Sequence, residues 1–177
     1  YLRAVSRLAL ARIPIRTGAS RGCDQIAART ALQLGGYVEF VLPWPTFEKA
    51  WMDEICTLYP HLCKIEIYDP DVHIEWTQSV NKYKRPEEAM TPERFKRYAR
   101  CWGIVQPAEM VLSMTQGSER GGTGQGMRIA HGLGKVVLDV RHEEDRESLL
   151  RFLGHALDRP DLVVGVHDAD EHRAPLD

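Results

Sequence analysis

The chain has 177 residues, 44% hydrophobic and 27% charged, with a formal net charge of -2; this is enough for one domain with a proper core, or at most a domain with a small appendage. So small a charge excludes a global attraction to nucleic acid or to an anionic membrane, and any such contact needs a local patch. No apolar run approaches the roughly 20 residues of a membrane-spanning helix and no signal peptide is visible, which predicts a cytoplasmic protein, without membrane contact, whose thiols Cys23, Cys56, Cys63 and Cys101 are reduced.

Leu2, Val5, Leu8 and Ala9 recur at helical spacing ahead of Pro14. The chain thus opens on Tyr1 already at a helix, which predicts that its natural start lies upstream. "IPIRTGAS" is a short β-prone run ending after Gly18, and "DQIAARTALQLGG" is a helix closed by Gly35 and Gly36. "YVEFVLPW" is a strand stopped by Pro43 and Pro45. Residues 45–91 form a long, less regular insertion with a helix in "TFEKAWMDEICTLY", a strand in "CKIEIYD" and a polar loop in "NKYKRPEEAMTPE". The helix "TPERFKRYARCWGIV" starts with Thr91 as N-cap and Pro92 in the first turn, and presents Phe95, Tyr98, Ala99 and Trp102 as an apolar face. The order strand, glycine-bearing loop, helix, strand then returns: "EMVLSMT", the glycine-rich stretch "MTQGSERGGTGQG", a helix beginning at "QGMRIAHGL", and "KVVLDV". "EEDRESLLRFLGHAL" closes the domain at about residue 156, and 157–177 is a polar tail. Alternating units with strands apolar on both faces predict an α/β domain, a mainly parallel sheet covered by helices.

Both glycine-bearing loops leave the carboxyl end of a strand and enter a helix, the place where open α/β sheets bind ligands. The first N–H groups of a helix lack intrahelical partners and carry the positive end of its dipole, so an anion satisfies both. Glycine allows the backbone to approach that anion closely. The first loop supplies Thr17, Gly18, Ala19, Ser20 and Gly22, the second Gly121, Gly122, Thr123, Gly124 and Gln125. Neither matches a dinucleotide fingerprint or an ATPase P-loop, and each also fits a tight, capped connection.

The set "TGASRGCDQIA", "FVLPW" and "RYARCWGIVQPAEMVLSMTQGSERGGTGQGMRIAHGLGKVVLDV" resembles the SLOG superfamily of Rossmann-like nucleotide-binding domains, which includes the Smf/DprA DNA-processing proteins and the LOG-type phosphoribohydrolases. The pattern is most similar to that of phage-encoded DprA-like proteins and covers roughly residues 13–140. The resemblance implies a three-layer Rossmann-like fold whose opening strand is missing from this chain. It also implies a site at Gly18, Ala19, Gly22 and Asp24, at Trp44 after Pro43, at Arg100, and at Gly121, Gly122, Thr123, Gly124 and Gln125. Cys101 stands where these proteins usually carry Asn, and the Glu of the LOG-type motif falls on Gly126. No carboxylate is therefore supplied there for N-glycosidic hydrolysis, unless Asp24 or Glu119 substitutes. The implied function is binding of a nucleotide or of single-stranded DNA phosphates, in DNA processing, without bond cleavage. A nucleotide N-glycosidase is the alternative, and a homo-oligomer is compatible with the resemblance.

Each candidate has a plainer reading. Asp24 in the first turn of a helix favours the dipole with or without a ligand. Arg100 lies about 140° around an ideal helix from Phe95, so it either faces solvent or grips phosphate, and Trp44 either stacks on a base or joins the core. Lys82, Lys84, Arg85, Arg94, Lys96, Arg97 and Arg100 form a basic cluster that is either a solvated face or a nucleic-acid patch. Cys56, His61 and Cys63 lack a spaced fourth ligand for a closed zinc site, and neither a metal nor a cofactor is expected.

Overall fold

The computed structural model describes residues 1–114, 120–156 and 164–168. Local signals account for the first half of the chain. The helical spacing at the start gives α1 (Leu2–Leu10), which buries Ala4, Val5, Leu8 and Ala9. A short β1 (Ile15–Thr17) follows, then α2 (Cys23–Gln33) and β2 (Val38–Leu42). The insertion contains α3 (Lys49–Leu58), β3 (Cys63–Ile67) and a further helix, α4 (Ile74–Tyr83). The Thr91 hydroxyl accepts from the Arg94 amide at 3.2 Å and starts α5 (Pro92–Val105), with the proline in its first turn. The second unit comprises β4 (Met110–Met114), α6 (Gly121–Gly132), β5 (Val136–Asp139), α7 (Glu143–Ala156) and β6 (Val164–Asp168).

The strands form one sheet in the order β3-β2-β1-β6-β4-β5, and every pairing in it is parallel. Alternation along each strand feeds two separate cores. Val38, Phe40 and Leu42 of β2, with Met110 and Leu112 of β4, pack with α1, α2, α3 and α7. On the opposite face Val41 packs with Trp76, Val80 and Tyr98, and Val111 with Cys101, Val105 and Ile129, beneath α4, α5 and α6. The result is a three-layer Rossmann-like α/β fold with both sheet faces covered, as an all-parallel sheet requires.

Three expectations need correction. Residues 74–83, read as an irregular stretch running into a polar loop, form α4, whose buried Trp76 and Val80 are too few to stand out among polar neighbours. α6 starts at Gly121, not at Gln125. Four glycines in its first two turns lower helix propensity, but burial of residues 121–127 against the rest of the domain outweighs that. Residues 164–168, read as part of the polar tail, pair with both β1 and β4. β6 thereby lies between β1 and β4, at the centre of the sheet. The other tail residues and the loop residues 115–119, including Glu119, lie outside the described residues.

Among the described residues no helix is long and apolar enough to cross a membrane.

Candidate functional site

The carboxyl edge of the sheet brings the two glycine-bearing loops under one helix, α5. After β1 the chain turns through Ala19, whose φ is +60° although it carries a Cβ, and through Gly22 at φ +98°, which caps α2. A left-handed non-glycine residue costs roughly 1–2 kcal/mol and persists only where its surroundings hold it. Here the hold is visible. Arg100, 3% exposed, donates from Nη1 to the Gly18 carbonyl at 2.8 Å and from Nη2 to the Ser20 hydroxyl at 2.6 Å. Asp24, 2% exposed, accepts from the Ser20 amide at 3.1 Å. A Cβ on Gly18 would lie 2.8 Å from the Arg100 Cζ. The glycine therefore admits the guanidinium, not only a ligand.

Sequence spacing set Arg100 between solvent and phosphate; the structure buries it as a clamp on the first loop. Its guanidinium also lies 4.7 Å from the centre of the Phe47 ring. The next residue of the same helix touches the second loop: the Cys101 thiol points to the Gly122 carbonyl at 3.6 Å and to the Arg97 carbonyl of its own helix at 3.3 Å. Consecutive residues of α5 thus contact the two loops, which places them at one edge of the sheet.

The second loop ends differently. The first intrahelical bond of α6 runs from the Gly124 amide to the Arg120 carbonyl at 3.2 Å, so the amides of Gly121, Gly122 and Thr123 precede the helical ladder. Gly121 has φ +65° with open space around its absent Cβ. Thr123 and Gln125 are wholly buried, yet among the described residues the Thr123 hydroxyl and the Gln125 Nε2 have no hydrogen-bond partner. Gln125 Oε1 accepts from Arg128 at 3.2 Å. The buried Ser113 hydroxyl at the end of β4 is likewise unpartnered, and its side chain faces the α5 and α6 layer as Val111 does. Buried polar groups in folded proteins are nearly always satisfied, so three such donors around one helix start are unusual. Thr17 also has an unpartnered hydroxyl. Its neighbour Arg16 bonds Gly103 of α5, so Thr17 points to the opposite face of the sheet.

Trp44 is half-buried at the same edge, edge-on to Phe47 with ring centres 5.2 Å apart. Arg97 lies over both rings, 5.7 Å from the Trp44 centre and 5.5 Å from that of Phe47. The rest of the basic cluster is dispersed: Arg94 sits over the Tyr98 ring and pairs with Glu88, while Lys82 lies over Tyr83. Burial pushes the Tyr98 hydroxyl up to about 12, partly offset by its hydrogen bond from Arg94. Glu88, buried between Arg94 and Arg128, is joined through Arg128 to Gln125. Gly126, at the position where the resemblance would place Glu, is buried inside α6. Burial raises the thiols of Cys56 and Cys63, the latter to about 12, while His61 is exposed, and among the described residues no three metal-ligating side chains gather.

Sequence reasoning missed Phe47 and Ser113. Phe47 sits in the loop after β2 and becomes a site residue only because Arg97 and Arg100 fold over it. Ser113 is the last buried residue of β4, and its place at a strand's carboxyl end was the one signal that could have found it. Compared with family models, with curated proteins and with solved structures, the chain matches none.

Proposed function

We propose that the protein binds a phosphorylated ligand, a nucleotide or the phosphates of single-stranded DNA, at the N-terminus of α6, in the manner its SLOG- and DprA-like motifs imply. The observation that carries this reading is the fully buried Thr123 hydroxyl, without a partner among the described residues, in the first turn of α6, with Ser113 on the same side of the sheet. Burying a hydroxyl without a partner costs about 1–3 kcal/mol, and phosphate oxygens accept from such hydroxyls and from helix N-terminal amides. Trp44 with Arg97 over its ring offers a flat, cationic platform for a base.

Binding without hydrolysis is favoured by the carboxylates. Asp24 is held by the Ser20 amide, Glu88 lies between two arginines, and the Gly126 position carries no acid. Both Asp24 and Glu88 are thus already engaged by groups of the same chain, whereas a general acid or base must be available to the scissile bond. A panel of nucleoside mono-, di- and triphosphates and a single-stranded oligonucleotide tests the reading by thermal shift and by product analysis. Stabilisation of about 2.7 kcal/mol at a hundredfold excess over Kd, with no base or ribose 5-phosphate released, is the expected result. Release of either product makes it an N-glycosidase. The absence of both stabilisation and turnover across the panel rejects the site.

A further inference from the structure

The other end of the sheet carries a second feature, independent of the ligand site. Among the described residues β3 pairs only with β2. The Val38 amide donates to the Leu62 carbonyl and the Tyr68 amide to that of Leu42. In a parallel ladder this register turns the amides and carbonyls of residues 64 and 66 toward β2 and those of Cys63, Ile65 and Ile67 outward. Ile65 is 46% and Ile67 36% exposed. An open edge with apolar side chains is a template for another strand unless it is blocked.

We infer that β3 is the contact by which two copies of this chain associate, edge to edge across a two-fold axis at Ile65, to make one continuous sheet. Self-complementarity of the sequence Cys63-Lys64-Ile65-Glu66-Ile67 identifies the occupant as a second copy. A two-fold axis perpendicular to the sheet makes the pairing antiparallel. Centred on Ile65, it sets Ile65 against Ile65 and Cys63 against Ile67, and it opposes each Lys64 to the Glu66 of the other copy. The outward-facing backbone groups are those of the odd-numbered residues, and in this register they face each other as hydrogen-bonded pairs. Centring one residue earlier opposes Lys64 to itself, and one residue later opposes Glu66 to itself. Like charges directly opposite are destabilising and unlike charges stabilising. Among these three registers, backbone and side chains thus agree on one alone. Glu66 also binds Arg16 and lies 3.4 Å from His73, and Lys64 lies 3.3 Å from Glu39, so Lys64 of a second copy joins an existing chain of alternating charges.

Sedimentation velocity of the whole chain from micromolar to millimolar concentration tests the inference. A concentration-dependent monomer–dimer equilibrium is expected. Ile65→Lys, which sets two cations face to face on the axis, is expected to abolish the dimer while leaving the far-ultraviolet circular dichroism unchanged. Lys64→Glu, at a side chain 55% exposed, is expected to weaken association at least tenfold, and it supplies the answer if Ile65→Lys does not fold. Ile65→Cys is expected to cross-link the dimer on oxidation, since hydrogen-bonded pairs place Cα atoms about 5.5 Å apart. A wild-type chain that stays monomeric throughout overturns the inference, as does a dimer that survives the charge substitutions unchanged.

Discussion

The loop after β1 and the start of α6 look alike as sequence and differ as structure. In the first, Thr17 apart, polar groups find partners within the chain: Arg100 serves Gly18 and Ser20, and Asp24 serves the Ser20 amide. In the second, Thr123, the Gln125 amide nitrogen and the neighbouring Ser113 are buried without partners among the described residues. The first loop is therefore braced by groups of the same chain, whereas at the second a ligand supplying acceptors would offset the cost of the buried donors. Glycines serve different ends in the two places. Gly18 makes room for a guanidinium of the same protein, while Gly121 takes up a left-handed turn with open space beside it.

The sharpest way to break this contrast is to remove the clamp. Arg100→Ala leaves the Gly18 carbonyl and the Ser20 hydroxyl without these charged donors, and at about 1.5–3 kcal/mol for each hydrogen bond to a charged group a loss of about 3–6 kcal/mol is expected, or roughly 10 °C in Tm at 2–4 °C per kcal/mol. Arg100→Lys is expected to recover little of it, because an ammonium cannot reproduce the forked geometry; calorimetry of the two variants measures both. Gly18→Ala should cost less, about 1–3 kcal/mol for overpacking, as the new methyl pushes the guanidinium off its acceptors. Chemical denaturation then gives a lower midpoint with an unchanged slope. Loss of the Thr91 cap in Thr91→Ala provides a yardstick away from both loops, with about 1 kcal/mol expected.

Thr123→Val has the smallest expected effect on stability and is the most informative about function. Replacing an unpartnered buried hydroxyl by an isosteric methyl is expected to leave the stability within about 1 kcal/mol of the parent, with a gain the expected sign. Nucleotide affinity should nevertheless fall about tenfold or more, the loss of one hydrogen bond to a charged group. Calorimetric titration of parent and variant decides. Should Thr123→Val destabilise as much as Gly18→Ala, the second loop is braced like the first and the contrast disappears.

Legibility followed the range of the forces involved. The Thr91 cap, the glycine ends of helices and the apolar strands were readable because each depends on residues within a few positions of one another. α4 escaped because its burial rests on Trp76 and Val80 meeting Val41 of β2 and Tyr98 of α5, distant in sequence. The start of α6 escaped because glycine's intrinsic preference was outweighed by packing against α5. Arg100 was the clearest case, since helical spacing put it off the apolar stripe and only the approach of the β1 loop explains its burial. Within the candidate site the glycines, Ser20, Asp24 and Thr123 were legible as types, whereas the division between braced and unpartnered groups was not.

By itself the amino-acid order determined the alternation of strand, glycine-bearing turn and helix, and with it a parallel sheet whose carboxyl edge gathers polar loops, because period and propensity act along the chain. Tertiary structure alone decided that β6 takes the middle of that sheet, that Arg100 holds one loop shut, and that Thr123 and Ser113 are buried without partners among the described residues. Those outcomes depend on which groups meet across 80 residues or more in sequence, as Arg100 and Ser20 do, and on the cost of desolvating each of them, which no local pattern encodes.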